Sequence, residues 1–229
     1  MNKLIEPPGF SFSEIKAFFT TRILGNNAEK VQAVSKAVNI SKEKVYLPIQ
    51  KHTGKVHILE SDLQPVVADA VVTGDKQVLI GVLVADCVPV LLYDPRMKVI
   101  GAVHAGWRGT AQQILKTAIT VMHDRFHSLP QNISVAIGPS IRQCSYEVGQ
   151  EVKEEVVSAT GEGSYYRKER DKYFLDIASA NKIQALSMNV PEKNIWQSSE
   201  CTFCNPGKYH SYRYSGDCAG RQGGFIIMW

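Results

Sequence analysis

The chain has 229 residues, 44% of them hydrophobic and 21% charged, an ordinary globular composition that is long enough for a sizeable core. The 26 Lys and Arg against 22 Asp and Glu leave a formal charge of +4 spread along the chain. This argues against the dense basic stripe of a nucleic-acid binder and is compatible with small anionic ligands. No apolar run reaches the roughly 18 residues that span a bilayer. Met1 to Phe10 lacks the basic-then-apolar pattern of a leader, and five Cys, an odd count, argue for reduced thiols over a disulfide framework. The expectation is a cytoplasmic chain that partners neither nucleic acid nor membrane.

In chain order, Ile15 to Thr21 reads as a short strand, and Ala28 to Val38 as a helix with Val31, Val34 and Val38 at helical spacing. Val45 to Ile49 and Lys55 to Leu59 read as strands around a polar loop. Ala70 to Thr73 and Val78 to Ala85 read as buried strands. Leu91 to Tyr93 and Val99 to Val103 form a hairpin pair across an Asp-Pro turn. Thr110 to Phe126 is the strongest helix, with Ala111, Ile114, Leu115, Ala118, Val121 and Met122 on one face. Ile133 to Ile137 is a strand, Gly149 to Ala159 and Asp176 to Met188 are helices, and Asn194 to Gln197 and Gly224 to Met228 close the sheets. No repeat or Pro- or Gly-rich linker divides the chain, so one α+β (mixed α/β) domain over residues 1–229 is expected, with mixed rather than purely parallel sheets.

Chemistry concentrates between Ala85 and Thr110, where Asp86-Cys87 and His104-Ala105-Gly106-Trp107-Arg108-Gly109 end two neighbouring apolar segments. His52, Cys87 and His104 each lie at a strand end or just beyond it, and three such ligands plus an open position is the usual arrangement of catalytic zinc. Their spacing is not that of a zinc finger. The same atoms also allow a Cys87–His104 dyad without metal, with Asp86 or Asp69 orienting the imidazole. The plain alternative is a small buried thiol and a surface histidine. Cys201 and Cys204 form a CxxC pair with only Cys218 and His210 nearby to complete a structural metal site, and ordinary reduced thiols are the simpler reading. Arg108, Arg213 and Arg221 offer the planar fork that suits phosphate. No Walker or dinucleotide fingerprint is present. Asp176 reads as a helix cap.

Together these segments resemble a known family. Gln50-Lys51-His52 with Val56, Asp69-Ala70-Val71-Val72-Thr73, Ala85-Asp86-Cys87-Val88-Pro89 and His104-Ala105-Gly106-Trp107-Arg108-Gly109-Thr110 follow in order. Ala136-Ile137-Gly138-Pro139-Ser140-Ile141 with Cys144 and Tyr146, Leu175-Asp176 with Asn181, Cys201-Thr202, Ser211-Tyr212-Arg213 and Gly220-Arg221 complete the series. The chain from about Phe19 to Ile227 is similar to the laccase-domain family, once called multicopper polyphenol oxidases and later purine nucleoside phosphorylases. The resemblance implies helices outside two mixed sheets. It implies one zinc on His52, Cys87 and His104, with copper as the other metal described for the family.

It further implies phosphorolysis of adenosine, inosine or methylthioadenosine, and deamination of adenosine. Gln50, Arg108, Arg213 and Arg221 would bind nucleoside and phosphate, and Cys87, His104, Asp86 and Asp69 would carry the catalysis. A cell-wall amide hydrolase using the same Cys/His/zinc site is the alternative reading, and a copper-dependent phenol oxidase is disfavoured because six His are few for several copper sites. One departure from the family stands out: after Thr20-Thr21-Arg22, Ile23-Leu24-Gly25-Asn26-Asn27 passes quickly to the helix, so a loop expected near the pocket is short.

Overall fold

The computed structural model describes residues 4–22 and 27–229. Most of the short loop, residues 23–26, lies outside the described residues. The chain opens with β1 (Leu4–Ile5), β2 (Ile15–Thr20), α1 (Asn27–Ala37), β3 (Val45–Tyr46) and β4 (Val56–Ile58). Next come β5 (Ala70–Thr73), β6 (Leu79–Val84), β7 (Val88–Asp94), β8 (Val99–Ala105), α2 (Trp107–Ala111) and α3 (Ile114–Phe126). β9 (Ser134–Ile137), β10 (Glu147–Val148), α4 (Gln150–Thr160), β11 (Tyr166–Glu169), β12 (Lys172–Leu175) and α5 (Ile177–Ser187) follow, and β13 (Ile195–Gln197), α6 (Tyr212–Ser215) and β14 (Gln222–Met228) end the chain.

Two large mixed sheets lie between layers of helix. The first runs β13-β9-β7-β8-β5-β4, with parallel pairs at both edges and antiparallel pairs between them. The second runs β1-β2-β14-β6-β3 and is antiparallel except for β3 beside β6. The period-two alternation of strand side chains explains the layering. In β7, Val88, Val90 and Leu92 join a core shared with α3, α4 and α5, while Leu91 and Tyr93 join the core between the two sheets. In β14, Ile226 and Met228 face that inter-sheet core, and Phe225 and Ile227 face outward onto Val34 of α1 and Val38 just after it. Both faces of these strands are buried, which is why they read as continuous apolar runs. A third, small antiparallel sheet, β10-β12-β11, adds to the two expected ones. Among the described residues no helix is long and apolar enough to cross a membrane.

Three local differences from the sequence reading have physical causes. β3 stops at Tyr46 because Pro48 lacks a donor, and Ile49 pairs instead with Val67 in an isolated bridge. β7 begins earlier than expected because Pro89 contributes its carbonyl, which accepts from Gly138 N at 2.8 Å. The single helix expected from Thr110 to Phe126 is broken at Gln113, which is left-handed with φ 58°. Thr110, whose carbonyl accepts from Gln113 N at 3.0 Å, is held from the far side by side chains of α5. Gln184 Nε2 donates to the Thr110 carbonyl and Asn181 Nδ2 to the Thr110 hydroxyl, each at 2.9 Å. The break lets α2 point at the pocket while α3 lies along the first sheet.

Close approach of the two middle strands of the second sheet depends on Gly81, where a Cβ would collide with the Phe225 ring and lie 2.9 Å from the Gly224 carbonyl oxygen. Gly81→Ala should therefore lower the unfolding free energy by about 1–3 kcal/mol through overpacking. Gly207→Ala, where an added Cβ meets nothing within 4 Å, should change it by less than about 0.5 kcal/mol. Urea denaturation of the two variants checks the contrast.

Candidate active site and metal centre

The site forms where β5, β7 and β8 of the first sheet meet the loop before β4. His104 is the penultimate residue of β8, and Cys87 stands just ahead of β7. His52 sits in the β3–β4 loop with φ 57°, a left-handed conformation for which a non-glycine residue needs local support. Asp69 gives that support. It is fully buried, accepts from the backbone N–H of His52 at 3.0 Å, of Lys51 at 3.2 Å and of Thr53 at 2.6 Å, and accepts from the Thr53 hydroxyl at 2.8 Å. His104 Nδ1 lies 2.8 Å from Asp69 Oδ1. A carboxylate only accepts, so Nδ1 carries the proton and Nε2 is left for a ligand.

One donor atom from each of His52, Cys87 and His104 lies within 4.8 Å of the others, a group that can hold a metal ion. His52 Nε2 is 3.9 Å from Cys87 Sγ, and the two imidazoles meet edge-on with centroids 4.9 Å apart. Burial pushes the Asp69 carboxyl up, but the bonds from His104, Thr53 and Lys51 outweigh it and hold the group well below the ordinary carboxylate range. Burial likewise disfavours charge on Cys87 and on His104, yet their mutual attraction reverses both effects. The thiol is lowered, with help from His52, and the imidazole is raised, with help from Asp69. A thiolate beside two oriented imidazoles is a donor set that suits zinc. Gly106 makes this convergence possible, because a Cβ there would stand 3.0 Å from Cys87 Sγ and 3.3 Å from His52 Cδ2.

These residues lie in a pocket of about 840 Å³ together with Arg108, Arg213 and Arg221. Among the described residues none of the three arginines pairs with a carboxylate. Arg108 stacks over the Trp107 ring at 4.2 Å, Arg213 donates to the Glu147 carbonyl at 3.0 Å, and Arg221 donates to the carbonyls of Ala219 and Gly220 at 2.8 and 3.0 Å. Asp86 does not reach the imidazoles. With φ 83° it accepts from the Thr202 hydroxyl at 2.6 Å, the Ser211 hydroxyl at 2.9 Å and Arg213 N at 2.7 Å. Of the two carboxylates considered as partner of the imidazole, Asp69 is the one in contact, and Asp86 fixes the segment that bears Arg213. Gln50 lines the pocket, but its amide both donates to and accepts from the backbone of Leu83, at 2.8 and 2.9 Å.

The sequence reading passed over Lys30 and gave Tyr146 no role. Lys30 lies on α1, is 6% exposed and lines the pocket, where burial first and then Arg221 lower its pKa. It sits in an amphipathic helix like any solvated lysine, so no local signal marked it. Burial, followed by the negative charge of Cys87, pushes the Tyr146 hydroxyl up. Asp176 is the N-cap of α5, as expected. Cys201 and Cys204 converge with Cys144, rather than with Cys218 and His210 as the sequence reading considered.

The sequence pattern of a family described as multi-copper polyphenol oxidoreductase laccase matches residues 22–229. A purine nucleoside phosphorylase of Clostridium acetobutylicum is 40% identical over 180 residues, 78% of this chain and 74% of that protein. An adenosine deaminase of an unknown prokaryotic organism is 31% identical over 199 residues, 80% of this chain and 75% of that protein. The crystal structure of YlmD from Geobacillus stearothermophilus superposes with a TM-score of 0.90 at 27% identity, covering 96% of this chain and 93% of the other.

Asp69→Asn should weaken metal binding about 10–100-fold by releasing the His104 ring and the His52 loop, and Gly106→Ala should act in the same direction; competition with a chromophoric chelator measures both. In metal-free protein the lowered thiol pKa means that the reactive thiolate persists to lower pH. Alkylation of Cys87, followed by peptide mass spectrometry, should have its midpoint below the ordinary value of about 8.5, and His104→Gln should move that midpoint up.

Proposed function

The chain belongs to the multi-copper polyphenol oxidoreductase laccase family, and from that premise we propose that it is a zinc-dependent enzyme of purine nucleosides that carries out phosphorolysis and adenosine deamination. The observation that carries this reading is that one pocket joins the His52, Cys87 and His104 donor set to Arg108, Arg213, Arg221 and the buried Lys30. Relatives named purine nucleoside phosphorylase and adenosine deaminase support the substrate class. The partners are then a nucleoside and phosphate, with no role for nucleic acid or membrane, and the location is the cytoplasm.

His52, Cys87 and His104 would hold the zinc, and a bound zinc supplies Lewis acidity at an open fourth position, the electrophilic help that exchange of an amino group for water requires. Asp69 keeps His104 in the tautomer that presents Nε2. Phosphorolysis needs phosphate below the ribose: its oxygen bonds to C1′ as the bond to the base breaks, and the base leaves with a proton. Arg108, pre-oriented on Trp107, and Arg213, fixed through Asp86, hold the phosphate together with Arg221 and Lys30 by charge-assisted hydrogen bonds. Tyr146, kept neutral by burial, is a hydroxyl donor to the nucleoside. Copper is the poorer fit to the chemistry of a multicopper oxidase, which draws on many imidazoles. Of the other histidines, His57 stacks on Tyr46 and His123 contacts the Ser128 carbonyl.

The alternative of a cell-wall amide hydrolase draws on one observation, the Asp69–His104–Cys87 order, which resembles that of a cysteine nucleophile with its base and orienting acid. Mass spectrometry of adenosine incubated with zinc-loaded protein separates the two. The expected products are adenine and ribose 1-phosphate only when phosphate is added, and inosine without it, both lost in Cys87→Ala. Arg221→Ala should raise the KM for phosphate about 10–100-fold, from the roughly 1.5–3 kcal/mol of a charged hydrogen bond. Unchanged adenosine in every condition overturns the nucleoside reading and leaves the hydrolase.

A further inference from the structure

A second group of soft donors lies outside this pocket. Cys144, in the loop between β9 and β10, meets Cys201 and Cys204 from the loop after β13, and one sulfur from each lies within 4.8 Å of the other two. Cys144 Sγ and Cys204 Sγ are 3.5 Å apart, and all three thiols are free. We propose that Cys144, Cys201 and Cys204 form a second metal site, a three-sulfur seat for a thiophilic cation such as Zn²⁺ that clamps the two loops together. Three sulfurs at the usual Zn–S distance of about 2.3 Å stand about 3.7–4 Å from one another in a tetrahedral or trigonal site. The Cys144–Cys204 separation of 3.5 Å falls just short of that range and the other sulfurs lie within 4.8 Å, so small side-chain shifts complete the geometry.

The surroundings favour a cation over three independent thiols. Cys201 is 6% exposed and anchored at the bridge between Ser140 and Cys201. Its carbonyl accepts from Asn205 Nδ2 at 2.9 Å, which closes the turn that brings Cys204 back. The Ser145 hydroxyl lies 3.1 Å from Cys204 Sγ and 3.5 Å from Cys144 Sγ, where it donates to a ligating sulfur as outer-shell groups do. A disulfide would use two of the sulfurs and leave the third against it; a metal uses all three. Cys144 and Cys204 are exposed, so the fourth position faces solvent, as a water or an exogenous ligand requires.

The clamp lies behind the pocket and takes no part in it directly. Ile141 and Tyr146, on either side of Cys144 in sequence, line the pocket, and Thr202, beside Cys201, donates to Asp86. A cation at the three thiols thus fixes the back of the wall that carries Tyr146 and the support of Asp86.

The test is the zinc stoichiometry of reduced protein, stripped by chelator and reloaded with zinc alone, read by native mass spectrometry. Two zinc ions per chain are expected in the wild type and one each in Cys87→Ala and Cys144→Ser. None is expected in the double variant Cys87→Ala, Cys144→Ser. Cobalt(II) in Cys87→Ala should give a thiolate-to-metal charge-transfer band that Cys204→Ser diminishes. Cys144 and Cys204 are exposed, so serine there leaves the fold intact by circular dichroism, whereas Cys201 is avoided because it is buried. A wild type that takes one zinc, lost entirely in Cys87→Ala, overturns the proposal. So does zinc in Cys87→Ala that survives both Cys144→Ser and Cys204→Ser, and so does reduced protein that binds one zinc and re-forms a Cys144–Cys204 disulfide in air.

Discussion

The Asp69 carboxylate organises the site. It sits just before β5 with no exposure to solvent, and it takes hydrogen bonds from three successive backbone amides, a threonine hydroxyl and an imidazole. A buried charge is tolerable only when its acceptor capacity is met, and here five donors meet it. The same five contacts curl the chain at His52 into a left-handed conformation, lock the His104 ring and thereby aim two nitrogens at one sulfur. Remove the carboxylate and three separate parts of the molecule lose their reason to converge.

Around that centre the protein uses small residues and secondary bonds to hold reactive groups without neutralising them. Gly106 lets α2 start against the thiol. The arginines of the pocket are restrained by carbonyls and an aromatic ring rather than by carboxylates, so their charge stays available to an anion. Asp86, which lines the pocket with them, is occupied by hydroxyls and a backbone amide. The pocket is thus a cationic bowl around a thiolate–imidazole floor.

What could be read from the sequence was whatever is encoded within one element. β5 was legible to the residue because Ala70 to Thr73 is an apolar run between Asp69 and Gly74, and the β7–β8 hairpin because its turn carries Asp94-Pro95. The His52, Cys87 and His104 group was visible as motifs, although spacing alone left metal and dyad open. What escaped depends on partners far away in the chain. The turn ahead of the break at Gln113 is held by Gln184 and Asn181 on α5, more than sixty residues later. Lys30 became a pocket residue only once α1 packed beside the β6–β7 end. Cys144 joined Cys201 and Cys204 through the parallel bridge at Ser140, which no local pattern announces.

The donors of the main site come from before β4, before β7 and the end of β8, and their orienting acid from before β5. An unfolded chain therefore offers no chelate, since closing loops of that length for each ligand precedes any coordination. A metal held by this group would need strand pairing across the first sheet to bring its donors together. Binding there would be linked to the global folding equilibrium, so that free ion would stabilise the folded chain as a whole rather than one loop of it.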